Sequence, residues 1–203
     1  MVDRLPDRLR LPFAFDPGLL ERDLQSLAAV EWTEHFVKQN YDGDWSVIAL
    51  RGPAGATHPV RMIYSDPTAT EYCDTPMLQA CAYFRAVLAR FACPLQSARL
   101  MRLAPGSRIK EHRDHDLSLE DGAVRIHIPV VTDAGIEFML NGSRVVMDAG
   151  SAWYLRLSDP HSVANNGTRD RVHLVIDALA NDWIKRLLAL SAGGAAAASQ
   201  PAG

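Results

Sequence analysis

Three things are scarce in this chain of 203 residues, and each scarcity removes a class of protein. Only three cysteines occur, Cys73, Cys81 and Cys93, odd in number and without CxxC spacing. That excludes a disulfide framework or a zinc knuckle and reads as reduced, mostly buried thiols in a reducing compartment. No apolar run approaches the ~18 residues of a membrane-spanning helix, and the first residues lack the apolar core of a signal peptide. The expectation is therefore a soluble, cytoplasmic protein with no membrane partner. Charge of one sign is also missing: 21 Lys and Arg stand against 24 Asp and Glu, a formal net charge of -3. Such a balance provides no broad basic surface for nucleic acid. What remains is an ordinary globular composition, 48% apolar and 22% charged, long enough for one large core. We read a single domain over residues 1–192 and a flexible Gly/Ala-rich tail over 193–203.

The chain changes character along its length. Leu19, Leu20, Leu24, Leu27 and Ala28 recur near helical spacing after Pro17-Gly18, which predicts a helix within 17–38. Residues 45–50 read as a strand, and 76–91 as a second helix that stops before Pro94. After that the signal is mostly β. Short extended runs at 97–103, 123–131, 137–140, 144–147, 152–157 and 171–178 are separated by Pro-Gly, Asp-Gly, Asn-Gly and Ala-Gly turns. Asn141-Gly142 between two apolar runs is a strong hairpin signal. A last helix is expected over 182–190. The fold class this predicts is mainly β with flanking helices: a double-sheet jelly roll, its core about 97–180, supported by helices from the N-terminal part.

The most informative residues are Glu111-His112-Arg113-Asp114-His115, followed downstream by His161 and, ten residues on, Arg171. Two imidazoles and one carboxylate make a facial triad that holds Fe(II) and leaves positions open for a co-substrate and dioxygen. In an extended segment, side chains at i and i+2 share a face, so His112 and Asp114 reach one metal while Arg113 points away. His161 follows Asp159-Pro160 at the start of another strand and is the expected third ligand. Arg171 can pair bidentately with the distal carboxylate of a dicarboxylate co-substrate. A chain with seven histidines also produces His-x-Asp by chance, so the weight rests on the whole pattern. Arg125 and His127 share one face of their strand, opposite Val124, Ile126 and Ile128, and so line either a polar pocket or a solvent-facing edge. His173 reads either as a donor supporting the residues that line the site or, more simply, as a satisfied core histidine. His115 has the wrong parity for a ligand, His35 and His58 read as structural or surface residues, and Phe138 and Trp153 read as core aromatics.

These residues also carry a resemblance. Leu103-Ala104-Pro105-Gly106, His112-x-Asp114, Arg125-Ile126-His127, Phe138, Trp153, His161-Ser162-Val163-x-Asn165 and Arg171-Val172-His173-Leu174-x-x-Asp177 together resemble the aspartyl/asparaginyl β-hydroxylase family of Fe(II)/2-oxoglutarate dioxygenases, which includes bacterial cis-prolyl hydroxylases. Upstream, Tyr41-Asp42-Gly43-Asp44-Trp45 and Ala49-Leu50-Arg51 are similar to the family's N-terminal part. The resemblance implies a double-stranded β-helix, Fe(II) on His112, Asp114 and His161, and 2-oxoglutarate held by Arg171 with help from Arg125 and His127. It implies O₂ as the oxidant and a carbon of an amino acid or its derivative as the target, with succinate and CO₂ released. The animal aspartyl hydroxylases have glycine where Asp114 stands, so the full triad resembles the bacterial amino-acid hydroxylases more; Met101 stands where the animal enzymes have a co-substrate-contacting serine. For the substrate's own carboxylate, Arg102, Arg113 and Arg156 are candidate partners, and 117–122 is a candidate lid. Three alternatives stay open at this point: a peptidyl aspartyl/asparaginyl hydroxylase, a cupin-like metalloenzyme that does not use 2-oxoglutarate, and a jelly-roll binding module. The second needs no arginine beyond the distal His, and the third needs neither Asp114 nor His161.

Overall fold

The computed structural model describes residues 5–64, 68–115 and 117–198. Its N-terminal part contains β1 (Arg8–Ala14), α1 (Pro17–Ser26), β2 (Thr33–Glu34), β3 (Tyr41–Asp42), β4 (Trp45–Pro53), α2 (Pro59–Ile63), β5 (Tyr72–Asp74), α3 (Pro76–Gln79) and α4 (Ala82–Leu88). Then come β6 (Leu95–Leu103), β7 (Arg108–His112), β8 (Ala123–Val131), β9 (Ile136–Leu140), β10 (Ser143–Val145), β11 (Ser151–Leu155), β12 (His161–Asn165), β13 (Arg171–Leu179) and α5 (Asp182–Ala198).

The strands form two antiparallel sheets. The larger runs β1-β11-β8-β13-β6-β4-β2 with β5 also on β4; the smaller runs β10-β9-β12-β7-β3. Period-2 alternation sorts the larger sheet into two faces. Ile48 and Leu50 of β4, Ala98 and Leu100 of β6, Val124, Ile126 and Ile128 of β8, and Val172, Leu174 and Ile176 of β13 join one core with Leu20, Phe84 and Ile184 of the helices. The opposite parity, Val47, Ala49, Met101, Leu103 and Val175, joins a second core with Ile109, Phe138, Leu140 and Val163 of the smaller sheet. Helices therefore cover the outside of the large sheet, and the space between the sheets is left for a site, the jelly-roll arrangement expected from the strand pattern. The β9–β10 hairpin turns on Asn141 and Gly142, both with positive φ (50° and 71°), the combination a two-residue type I′ turn requires.

Helical regions depart further from the sequence reading. The helix expected within 17–38 ends at Ser26, because the β-branched and aromatic stretch behind it is taken by β2, which pairs Thr33 with Val47 of β4. The helix expected over 76–91 is broken between Gln79 and Ala82. A side chain from elsewhere causes the break: buried Asp23 of α1 accepts the amide of Phe84 through Oδ2 at 2.8 Å, capping α4 as a separate helix. β1 was not read from the sequence; it exists by pairing with β11. α5 continues to Ala198 rather than ending at Leu190, since an alanine run has the highest helix propensity and carries the helix through Gly193 and Gly194. Of the expected tail, residues 199–203 lie outside the described residues. No helix among the described residues is long and apolar enough to cross a membrane.

Candidate active site

Antiparallel register brings the motif together. β7 ends at His112 and β12 begins at His161, and the two residues are direct cross-strand partners, with ring centroids 4.3 Å apart. Asp114 lies two positions beyond β7, where its amide donates to Leu157 O at 2.8 Å. One ligand atom from each of His112, Asp114 and His161 lies within 4.8 Å of the others, the only such three-residue cluster among the described residues.

The backbone sets the protonation of both imidazoles. His112 Nδ1 donates to Lys110 O at 2.8 Å, and His161 Nδ1 donates to Asp159 O at 3.0 Å. In its neutral form each ring therefore carries its proton on Nδ1 and presents an Nε2 lone pair, which is the tautomer a metal ligand needs. Burial pulls His161 down to about 4, so it is neutral at physiological pH. Burial also opposes the charge on His112, but its bonds to Asp114 and Lys110 O raise it above the ordinary value. For Asp114, burial opposes ionisation, yet the Arg125 guanidinium and His112 hold it well below the usual carboxylate range. Two neutral-capable imidazoles and a permanent carboxylate fit a divalent transition metal such as Fe(II).

The cluster opens into a cavity of about 380 Å³ between the sheets, whose walls include His127, Phe138 and Arg171. Arg171 is 2% exposed and has no carboxylate partner among the described residues. Its Nη2 bonds His173 Nδ1 at 2.8 Å, its Nε has no partner, and burial lowers it to about 9, still cationic at neutral pH. A buried, unpaired guanidinium is costly and calls for an anion. This is the observation that fits a dicarboxylate. His127 Nε2, buried and unpartnered, lies in the same cavity. His173 is not the satisfied core histidine of the sequence reading: its Nε2 is buried without a partner, while its Nδ1 takes the Arg171 bond and sits 3.3 Å from His127 Nδ1.

Arg125 lines the same cavity and is held there by two carboxylates. Its Nε and Nη2 bind the two oxygens of Asp177 at 2.6 and 2.9 Å, and its Nη1 binds Asp114 Oδ2 at 2.5 Å. Every guanidinium nitrogen is thus already engaged, and the structure joins Arg125 to the metal cluster. Among the candidate substrate cations, Arg113 lines the cavity, whereas Arg102 is bound to Asp44 and Ser46, and Arg156 to Asp159 and Leu5 O. Only Leu117 of the expected lid is in the wall.

Sequence reasoning missed several wall residues. His35, read as structural or surface, stacks on Trp45 with centroids 3.5 Å apart and planes 8° from parallel, and both line the cavity with Phe36 and Tyr64. No local pattern marks His35; the β2–β4 pairing delivers it. Arg99 also lines the cavity, and its parity with Met101 and Leu103 on β6 was a usable signal.

Acid should weaken the metal-free fold through these histidines. His161, lowered to about 4, His35, lowered to about 3, and His127 and His173, both held well below the ordinary histidine value, are all depressed first by burial. A histidine depressed on folding binds more protons unfolded than folded between its two pKa values, so stability falls as pH drops below about 6.5. His112, raised, works in the opposite sense but is one group against four. Thermal melts with chelator present should show a lower Tm at pH 5 than at pH 7; an equal or higher Tm at pH 5 would refute the assignment of these histidines as buried and neutral.

Fold and site together define a double-stranded β-helix protein with a His-x-Asp and distal-His cluster between its sheets. The family model for aspartyl/asparaginyl β-hydroxylases matches residues 19–181, and the chain belongs to that family. A curated relative, L-proline cis-4-hydroxylase of Rhizobium meliloti (strain 1021), is 26% identical over 165 residues, covering 80% of this chain and 57% of that protein. The chain thus spans little more than half the length of that relative. A prolyl-4-hydroxylase structure from Pseudomonas putida aligns at TM-score 0.52 and 14% identity, covering 86% of this chain and 93% of that one. A 2OG-Fe(II) oxygenase family oxidoreductase from Burkholderia pseudomallei aligns at TM-score 0.52 and 16% identity, covering 86% of each chain. Both share the fold.

Proposed function

We propose that this protein is an Fe(II)/2-oxoglutarate-dependent dioxygenase that hydroxylates a carbon of a small amino acid or amino-acid derivative. The observation that carries the reading is the buried Arg171 guanidinium, without an acidic partner among the described residues, in one cavity with His112, Asp114 and His161. A cupin-like enzyme working without 2-oxoglutarate has no use for that cation.

In this reading His112 Nε2, His161 Nε2 and an Asp114 oxygen hold the iron. Bound there, iron with 2-oxoglutarate and O₂ supplies the oxidising power that converts C–H to C–OH as 2-oxoglutarate becomes succinate and CO₂. The chain's own residues do the rest. Arg171 anchors the distal carboxylate of 2-oxoglutarate, and the 5.9 Å approach of Phe138 to its guanidinium gives that charge an apolar, cation-tolerant wall. His127 lies in the same cavity as a second co-substrate contact, and Arg125 acts beside it through Asp114. His35, Phe36, Trp45 and Tyr64 form an aromatic wall that keeps water from the target carbon.

A free amino acid is favoured over a residue in a folded protein on size. About 380 Å³ is at the small end of ligand pockets, and co-substrate must share it. The proline hydroxylase relative makes L-proline the first compound to try. The free cysteines agree with a reducing cytoplasm, which also keeps iron ferrous.

Purified protein with Fe(II), ascorbate and 2-oxoglutarate should form succinate in proportion to a mass gain of one oxygen in one member of a free amino-acid panel. Turnover confined to peptides would replace the substrate class, and oxygen insertion without 2-oxoglutarate consumption would end the dioxygenase reading.

A further inference from the structure

Asp177 plays no part in the proposal above, yet it sits at the centre of a buried charge cluster with Arg99 and Arg125. It is 3% exposed, on the inward parity of β13. Arg125 binds it with two nitrogens, Arg99 binds Oδ2 through Nη2, and Ser97 Oγ donates to Oδ2 at 2.9 Å. Arg99 in turn donates to Ile63 O at 2.8 Å, so both guanidinium groups are fixed in place.

The consequence appears at the metal cluster. A guanidinium is planar, so gripping one edge of it aims the rest. With Nε and Nη2 of Arg125 held by Asp177, the remaining Nη1 points at Asp114 and binds Oδ2 at 2.5 Å. Asp114 Oδ1 is left facing His112 Nε2 at 3.4 Å. The two oxygens of one carboxylate are thereby given different partners. Without Asp177, Arg125 could rotate, and Asp114 could turn both oxygens toward the same side.

We infer that Asp177 is a positioning residue that acts through Arg125 to keep Asp114 a one-oxygen metal ligand. This rests on the iron reading of the site. Groups behind metal ligands commonly alter metal affinity by about 10- to 100-fold when removed. The same arrangement gives Arg125, expected from the family resemblance to help hold 2-oxoglutarate, a second task in shaping the triad.

The test uses Co(II), whose visible bands report coordination, titrated into the metal-free full chain under nitrogen. Asp177→Asn should weaken Co(II) binding about 10- to 100-fold and change the band pattern. Arg125→Met should do the same, and the double variant should bind no more weakly than Arg125→Met alone, because both changes remove one linkage. Additive losses, or wild-type affinity and bands in Asp177→Asn, would overturn the inference. If Asp177→Asn does not fold, Ser97→Ala removes a single bond to Asp177; it should shift affinity in the same direction by less, and an unchanged affinity would count against the inference. Absence of Co(II) binding by the wild-type chain would overturn the iron reading and this inference together.

Discussion

Arg171→Ala is expected to raise the 2-oxoglutarate concentration needed for half-maximal turnover by roughly 30-fold to several thousandfold. Removing one partner from a buried, charge-assisted pair costs about 2 to 5 kcal/mol, and each ~1.4 kcal/mol is tenfold. Metal affinity should stay near wild type, since Arg171 bonds His173 and none of the triad. A second variant separates binding from folding. The wild-type chain buries an uncompensated cation, so Arg171→Met, of similar volume and no charge, should melt higher than wild type when both are ligand-free. Wild type should gain Tm on adding 2-oxoglutarate with a redox-inert metal, and Arg171→Met should not. An unchanged dependence on 2-oxoglutarate in Arg171→Ala would mean another group is the anchor, with Arg99 next in line.

That His112, Asp114, His161 and Arg171 face one cavity was legible because strand periodicity is local. Parity along β8 and β13 puts Arg125 with His127, and Arg171 with His173 and Asp177, and the structure turns those faces inward. What parity cannot give is which inward groups satisfy each other. Arg125 and Asp177 lie on neighbouring strands as direct register partners, a fact of pairing order that no single strand contains. The helical part was misread for a similar reason. The break before α4 is imposed by Asp23 from another helix, and His35 reaches the cavity only because β2 lies along β4. Non-local pairing decided each of these, and the local pattern carried no trace of it.

Asp114→Ala should abolish metal-dependent turnover, and its cost in stability should grow when metal is added, which separates its two roles. Two imidazoles remain, but the one anionic donor of the set is gone, and two neutral imidazoles alone are a weak site for Fe(II). The metal-free consequence is separate. Arg125 Nη1 loses its bond to Asp114 Oδ2, leaving Arg125 and Arg99 to share Asp177. An unmatched buried cation costs on the order of 1 to 3 kcal/mol here, less than a full break because Asp177 remains. The apo variant should therefore melt several degrees below apo wild type. Adding Fe(II) under nitrogen should widen the gap, because wild type gains RT ln(1 + [metal]/Kd) and the variant gains nothing. A variant that melts lower when apo but regains the full metal-linked rise would show that Asp114 serves only as the partner of Arg125, and the triad would have to be completed by a different group.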